Sequence, residues 1–581
     1  MPFQVSPGVN VSEIDLTTVI PAVSTSTGAI AGPFEWGPVD EVRQVSNEIE
    51  LVSVFGKPTV NSFGSFFTAS NFLAYGDDLR VVRAANTASN TAFAVQPSAA
   101  GVNSNEQQIK NDAAYEALAL PISTTCFAAR SPGDLGNSLK ISVWANTTVS
   151  MSTWTYGSLF DKAPGTSYFL SNPSTYNNAT ANDELHIVVV DEDGEISGVP
   201  NTVLEVFPNL SKCGNAKDES GESIYYKDVL FRKSRYVYWT DHPEDVSGSP
   251  GDSAGLEWGE SANSTHTFAE LPDTGRTISF TGGLDEALTD GDIQRAYDEF
   301  ANGDTVDISL LMTANHSATV AKYVVENIAE IRKDCVVFDS PYLANVQAAD
   351  ATTAVINYRN NAMANLSSSY VVWDSGWKYQ YDKYNDLYRW VPLNGDIAGL
   401  CARTDSDRDP WFSPAGLIRG QIKNSIKLAY NPTKANRDEL YKAGINPVVS
   451  FAGEGTLLFG DKTGLGRPSA FDRINVRRLF IVLEKAIAKA ARSSLFEFND
   501  EFTRAQFVNL VEPFLRTVQG RRGIYDFRVV CDETNNTPEI IDRNEFIGDI
   551  YVKPAKSINF IQLNFVAVRT GVSFEEIVGK F

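Results

Sequence analysis

The sequence is poor in the residue types on which most catalytic centres are built. It holds four histidines in 581 residues, His186, His242, His266 and His316. None lies at HxxxH or HExxH spacing, so a histidine-ligated zinc centre has no ligand set. The five cysteines, Cys126, Cys213, Cys335, Cys401 and Cys531, are odd in number and far apart. They make no CxxC pair and no disulfide framework, which fits folding in a reducing cytoplasm. No apolar run approaches the roughly eighteen residues of a membrane-spanning helix. The first residues lack the basic region and apolar stretch of a secretion signal. Basic charge is scarce as well. Lys+Arg total 49 against 72 Asp+Glu, for a net charge of -23. Such a surface repels phosphate backbones, so direct nucleic-acid binding is not expected.

Catalytic motifs are missing too. GDKTG at 460–464 looks like part of a phosphate loop, but Asp461 precedes Lys462 where GxxxxGK[ST] requires glycine, so a polar turn is the better reading. No GxSxG nucleophile elbow occurs. A calcium loop starting at Asp191 would need Gly at 196 and Glu at 202, and the chain has Ile196 and Thr202. DEDGE therefore reads as a turn between two strands. Paired carboxylates carry little information in a chain this acidic. No catalytic residue, cofactor or metal is expected, and the chain does not read as an enzyme.

What is present is an ordinary globular composition, 43% hydrophobic and 21% charged, long enough for several domains. Residues 23–87 carry a strand in TSTGAIAGPFEWGP, a helix in SFFTASNFLAYG and a strand in DLRVVRAA. From about 88 to 275, Ser, Thr, Asn and Gly dominate, and short strands alternate with turns such as SPGDLGN, which indicates a β-rich insertion. From 282 onward helix and strand alternate: GDIQRAYDEFAN, VDISLLMT, TVAKYVVENIAEIRKD, CVVFDSP. That is α/β order. Residues 433 to 581 read as long helices followed by strands.

Two features ask for a partner. In VSPGVNVSEIDLTT, Val9 and Val11 alternate with polar residues, then Ile14 and Leu16 take over the apolar positions. Near the other end, Ile561, Leu563, Phe565 and Ala567 alternate in INFIQLNFVAV. Both ends of the chain thus carry strand material. A lone strand leaves its backbone groups unpaired, and these ends could pair with each other or add to another molecule's sheet. The second feature is a predicted helix from Val476 to Phe498. Leu479, Phe480, Leu483, Ile487 and Ala490 share one face, and Arg478, Lys485, Lys489 and Arg492 lie opposite. Between Arg473 and Arg492 stand six basic residues and one acidic, Glu484. This local reversal of sign reads either as a solvated helix face or as a docking stripe for an acidic surface.

A series of segments resembles the contractile tail sheath proteins of T-even-like myophages. They are the N-terminal SPG arm, GPFEWGP at 32–38, FGKPT at 55–59, NFLAYGDDLRVVRA at 71–84, SPGDLGN, GGL at 282–284 and KYQYDKYNDLYRWVPLNGDIAGLCARTD at 378–405. WFSPAGLIRGQI, AGINPV, FDRINVRRLF, YDFRVVCDETNNTPEIIDRNEF and AKSINFIQLNFVA continue the series. The resemblance is strong over 1–90 and 270–581 and loose between. It implies a structural protomer that stacks as six-membered rings around a tail tube, with baseplate and tail terminator proteins as further partners. It also implies a virion tail assembled in the host cytoplasm, and a sheath that is metastable when long and contracts on a baseplate signal, without nucleotide hydrolysis.

The implied fold is a multidomain α+β chain with a discontinuous α/β polymerising core. Residues 1–22 form a strand arm that joins a tube-facing domain at 433–581. Residues 23–87 with 276–432 form the middle α/β domain, and 88–275 a β-rich inserted outer domain. By the resemblance, Val9, Val11, Ile14 and Leu16, and Ile561, Leu563 and Phe565, are strands given to neighbouring subunits. Arg478, Lys485, Lys489 and Arg492 become the candidate tube contact. Only about forty residues, 88 to 130, precede SPGDLGN, too few for the additional outermost domain of longer members. The rivals are a sheath of a related injection device, which tends to be shorter or split, and a large hydrolase, which would need a catalytic set.

Overall fold

The structure is a computed structural model and describes residues 24–96, 107–243, 258–271, 275–559 and 562. The chain is a mixed α/β protein with several sheets. It divides into two compact units. One comprises Ala22–Pro410 with Pro414–Lys485, and the other takes Trp411–Ser413 together with the chain from Ala486 onward.

In the larger unit a seven-stranded sheet runs Ile445–Asn446, Val371–Asp374, Val336–Asp339, Leu310–Met312, Gly28–Pro33, Leu79–Ala84, Arg43–Val45. Every pairing is parallel except the last, where Arg43–Val45 closes the edge antiparallel. The strands LLM, VVFD and VVWD are buried at every residue. Apolar side chains on both faces are what a parallel sheet covered on both sides demands. On one side Tyr297, Val320, Val324 and Ile328 complete the core. On the other, Phe66, Phe72, Ile397 and Cys401 do so. Helix Asp290–Asp298 starts at a capping box between Thr289 and Asp292, which satisfies amide groups that a bare helix end leaves unpaired. Helices Phe63–Leu73 and Asn394–Asp407 approach closely because position 395 is glycine. A Cβ there would stand 2.4 Å from the Thr68 carbonyl oxygen.

A second seven-stranded sheet is built from residues 91–281 and is antiparallel throughout, in the order Thr202–Ser211, Glu184–Asp191, Leu139–Trp144, Arg276–Thr281, Thr91–Val95, Thr125–Pro132, Val237–Trp239. Strand Glu184–Asp191 shows why it is stable. Leu185, Ile187 and Val189 enter one core, and Val188 and Val190 enter a second beside Trp144, Trp154 and Phe160. The period of two thus serves two apolar layers at once.

Two boundaries differ from the sequence reading. Residues 433–485 were expected with the C-terminal domain, yet Ile445 pairs with Trp373 as the edge of the parallel sheet, and the larger unit runs to Lys485. Two residues of strand are too short to leave a periodic signal. The helix expected over 476–498 spans Ile474–Ala491 and ends in a 3-10 turn at Arg492–Ser494.

The smaller unit centres on helix Glu501–Gly520, capped by Asp500, whose carboxylate accepts from the Thr503 amide. Phe507, Val511, Leu515 and Val518 are its buried stripe, at helical spacing. Strands Ile524–Val530 and Asp549–Pro554 pair antiparallel beside it. Trp411 is recruited from mid-chain, its indole N–H donating to the Arg521 carbonyl at 3.1 Å.

Candidate assembly interface

A sheet inserted into another needs its point of entry and return fixed. The larger unit does this at the point where the chain leaves the parallel sheet for the insertion and returns. Arg83, 1% exposed, ends the strand Leu79–Ala84. Its Nε donates to the Phe34 carbonyl at 2.8 Å, Nη1 to Gly37 at 3.1 Å, and Nη2 to Pro132 at 2.8 Å. Asp285 supplies a carboxylate at 3.7 Å. Around it, the Gly37 amide donates to the Ser131 hydroxyl at 3.1 Å. Asn137 and Gly283 exchange two hydrogen bonds at 2.9 and 2.8 Å, and Asp134 and Asp285 exchange two more, each at 3.1 Å. Gly133 has φ +122, and a Cβ there would meet the Asp285 carboxylate at 2.6 Å, so this turn admits only glycine. Four segments distant in sequence (GPFEWGP, the end of RVVRA, SPGDLGN and GGL) thus form one clasp. Their convergence is invisible in the sequence. An arginine inside an apolar strand is the only hint. Burial disfavours the Arg83 charge, and the three carbonyls compensate.

The helix Ile474–Ala491 corrects the basic stripe. Arg478 is 4% exposed. It is ion-paired with Asp405, donates to the Thr25 carbonyl at 3.1 Å, and closes a triangle in which the Thr25 hydroxyl donates to Asp405 at 2.7 Å. Lys485 is likewise turned inward. Its Nζ reaches Asp307 and the Ile308 carbonyl at 2.8 Å and the Ser309 hydroxyl at 3.0 Å. Neither can belong to an exposed docking stripe. The reason lies in the helix itself. Val482 and Ala486, on the same side, are buried as well, so this stretch is surrounded, and its cations pair internally. Lys489 and Arg492 are exposed. The strand residues Val9, Val11, Ile14, Leu16, Ile561, Leu563 and Phe565 lie outside the described residues.

The smaller unit contains an incomplete sheet. Ile524 to Val530 pairs with Pro554 to Asp549, and among the described residues neither strand pairs with any other. Tyr525 and Tyr551 are exposed. Two strands are marginal alone and leave two edges with unpaired amide and carbonyl groups. Among the described residues no three His, Cys, Asp or Glu side chains are grouped to hold a metal, and no helix is long and apolar enough to cross a membrane.

Three family models match the chain. They describe the tail sheath protein Gp18 domain III N-terminal region at residues 25–84, the phage tail sheath protein central domain at 286–464, and the phage tail sheath C-terminal domain at 467–567. The tail sheath protein of Vibrio phage KVP40 is 37% identical, with 99% of each chain covered. The chain belongs to the phage tail sheath protein family. The tail sheath protein of Enterobacteria phage T4 is 34% identical, again over 99% of both chains. The sheath tail protein of Listeria innocua, known from a crystal structure, shares the fold with a TM-score of 0.51 at 11% identity, covering 92% of this chain and 96% of that one. The alignment with the KVP40 sheath protein spans 679 positions against 581 residues here, so that relative carries insertions absent from this member of the family. In this sheath protein the first matched range contains the GPFEWGP and Arg83 parts of the clasp, the second begins just after its GGL part, and the inserted antiparallel sheet falls between the two ranges.

Proposed function

We propose that this chain is the protomer of a contractile phage tail sheath. It stacks in six-membered rings around the tail tube, holds a metastable long state, and shortens on a baseplate signal to drive the tube through the host envelope. The role is structural and mechanical rather than catalytic. The energy is a difference between two packings of the same subunits, set at assembly. The observation that carries this reading is the end-to-end relationship to tail sheath proteins.

The incomplete sheet of the smaller unit supports a particular mode of assembly. Strands Ile524–Val530 and Asp549–Pro554 accept the terminal arms of neighbouring subunits, through Val9, Val11, Ile14 and Leu16 at one end and Ile561, Leu563 and Phe565 at the other. Strand addition satisfies the open edges by main-chain hydrogen bonds and makes a joint that survives while the bodies rotate. The tube contact falls to Lys489 and Arg492, the exposed members of the basic stripe. Exposed ion pairs contribute about 0–1 kcal/mol each, so many copies hold the tube together yet release it on contraction. The antiparallel insertion faces outward, and baseplate and terminator proteins bind the ends of the assembly in the virion tail, built in the host cytoplasm.

Electron microscopy of the purified chain, alone and with its tail tube, tests the reading. Cylinders with six-fold rings are expected from the intact chain. Deleting residues 1–16 is expected to leave a folded protomer that makes no long cylinders. Discrete particles at every salt concentration from the intact chain would overturn the sheath reading. Long cylinders from the truncated chain would overturn strand donation alone.

A further inference from the structure

The segment that joins helix Ile474–Ala491 to helix Glu501–Gly520 exposes Leu495, Phe496, Phe498 and Phe502 together. Phe496 is completely exposed, at 103%, and has φ +70. A bulky residue in left-handed backbone is a strained choice, which persists only where its surroundings hold it. They do hold it. The Glu497 amide donates to the Ser494 carbonyl at 3.4 Å, and the Asp500 amide to the Phe498 carbonyl at 3.0 Å. The Asn499 side chain donates to the Glu545 carbonyl at 2.8 Å and to Asn536 at 3.1 Å. The result is a built apolar knob with Glu497 and Glu501 exposed at its rim.

A second surface has the opposite charge. The loop after Pro414 is stitched to strand Gly455–Leu458. The Gly416 amide donates to the Leu458 carbonyl at 3.0 Å, the Leu458 amide to Gly420 at 2.8 Å, and the Ile422 amide to Thr456 at 2.9 Å. This pins Gly420 and Ile422 inward and leaves Leu417, Ile418 and Ile426 exposed. Lys423 and Lys427 are exposed among them, each lying over an aromatic ring, Tyr75 at 4.9 Å and Tyr379 at 4.9 Å. An apolar knob with an acidic rim and an apolar platform carrying fixed cations are complementary in both senses.

We propose that the 495–502 knob of one subunit docks on the 417–427 platform of a second copy of this chain. The contact uses two different patches, so it is heterologous and propagates an open assembly rather than closing a dimer. It rests on the sheath reading and adds to it a side-chain contact that is separate from strand donation.

All five native cysteines are buried, so engineered surface thiols react selectively. The test mixes two single variants of the full chain, Phe498→Cys and Ile418→Cys, with a short bis-maleimide. Cross-linked dimers are expected from the mixture and neither from Phe498→Cys alone nor from Ile418→Cys alone. A mixture that stays monomeric, or Phe498→Cys protein that cross-links to itself, overturns the proposal. In a second measurement, Glu497→Lys with Glu501→Lys is expected to reduce the yield of long polymers several-fold. Adding Lys423→Glu with Lys427→Glu on the same chain is expected to restore it. Unchanged polymer yield in the first variant, at an unchanged melting curve, also overturns it. Six-fold cylinders without the mixed cross-link would leave the sheath reading standing and remove this contact. No cylinders from the unmodified chain would count against the sheath reading itself.

Discussion

Replacing Arg478 by methionine should expose what the inward cations of the 474–491 helix do. The substitution keeps the bulk of the side chain and removes its charge and donors. Asp405, its side chain 7% exposed, would keep only the Thr25 hydroxyl as a partner, because Oδ1 has no hydrogen bond among the described residues. Breaking a buried pair on one side costs about 3–5 kcal/mol. The loss has a pH signature. Burial pushes the Asp405 carboxyl above its usual range, and Arg478 pulls it back down. Without Arg478 the folded-state pKa rises further. A carboxyl whose folded pKa lies above its unfolded value of about 3.9 binds more protons in the folded state. Stability then falls as pH rises through that window, by about 1.4 kcal/mol per pH unit. The deficit of Arg478→Met, measured by urea unfolding followed by tryptophan fluorescence, is therefore expected to be smaller at pH 5.5 than at pH 7.5. Arg478→Met with Asp405→Leu should recover most of the loss, since replacing both partners by apolar groups is often close to neutral. A deficit below about 1 kcal/mol, or one that neither depends on pH nor recovers in the double variant, refutes the reasoning.

Three further perturbations probe the clasp, the insertion and the proposed tube contact. Arg83→Met leaves the carbonyls of Phe34, Gly37 and Pro132 buried without their donor, at about 1–3 kcal/mol for each unsatisfied group. Limited proteolysis should then cut near residues 85–90 and 282–286, and an unchanged digestion pattern would count against the clasp. His186 accepts from the Asn209 amide at Nδ1, at 3.0 Å, donates from Nε2 to the Lys162 carbonyl at 2.9 Å, and stacks on Phe160, and burial holds it below the usual histidine range. The unfolded chain takes up the proton first, so stability is complete above about pH 6.5 and declines below it by up to about 1.4 kcal/mol per pH unit. His186→Gln should flatten the melting temperature against pH between 7 and 5.5, and an equal slope in the variant would refute the assignment. Lys489→Glu with Arg492→Glu should weaken co-sedimentation with the tail tube in a salt-sensitive way, whereas salt-resistant binding at wild-type level would remove these side chains from the tube contact.

Much of the architecture was legible before any coordinates. The apolar strands GAIAGP, LRVVRA and VVFD and the helix GDIQRAYDEF announce α/β order, because their periods follow directly from which faces must leave water. The change to short strands and polar turns after residue 88 marks the inserted antiparallel sheet for the same reason. The absence of usable histidine and cysteine spacing bears on chemistry, since ligands and nucleophiles have to be present to act. Tertiary structure decided the rest. Whether Arg478 and Lys485 face water depends on Asp405, Asp307 and Ser309, which lie far away in sequence, and a helical wheel sees only one helix. The wheel did carry a warning in Val482 and Ala486, which share their side. Ile445–Asn446 joins the middle sheet through two residues, too few for periodicity to register. The clasp joins residues up to about two hundred positions apart, and the knob at Phe496 depends on a backbone angle. Local pattern records which side chains avoid water, and only the folded chain decides which polar groups find one another once they have left it.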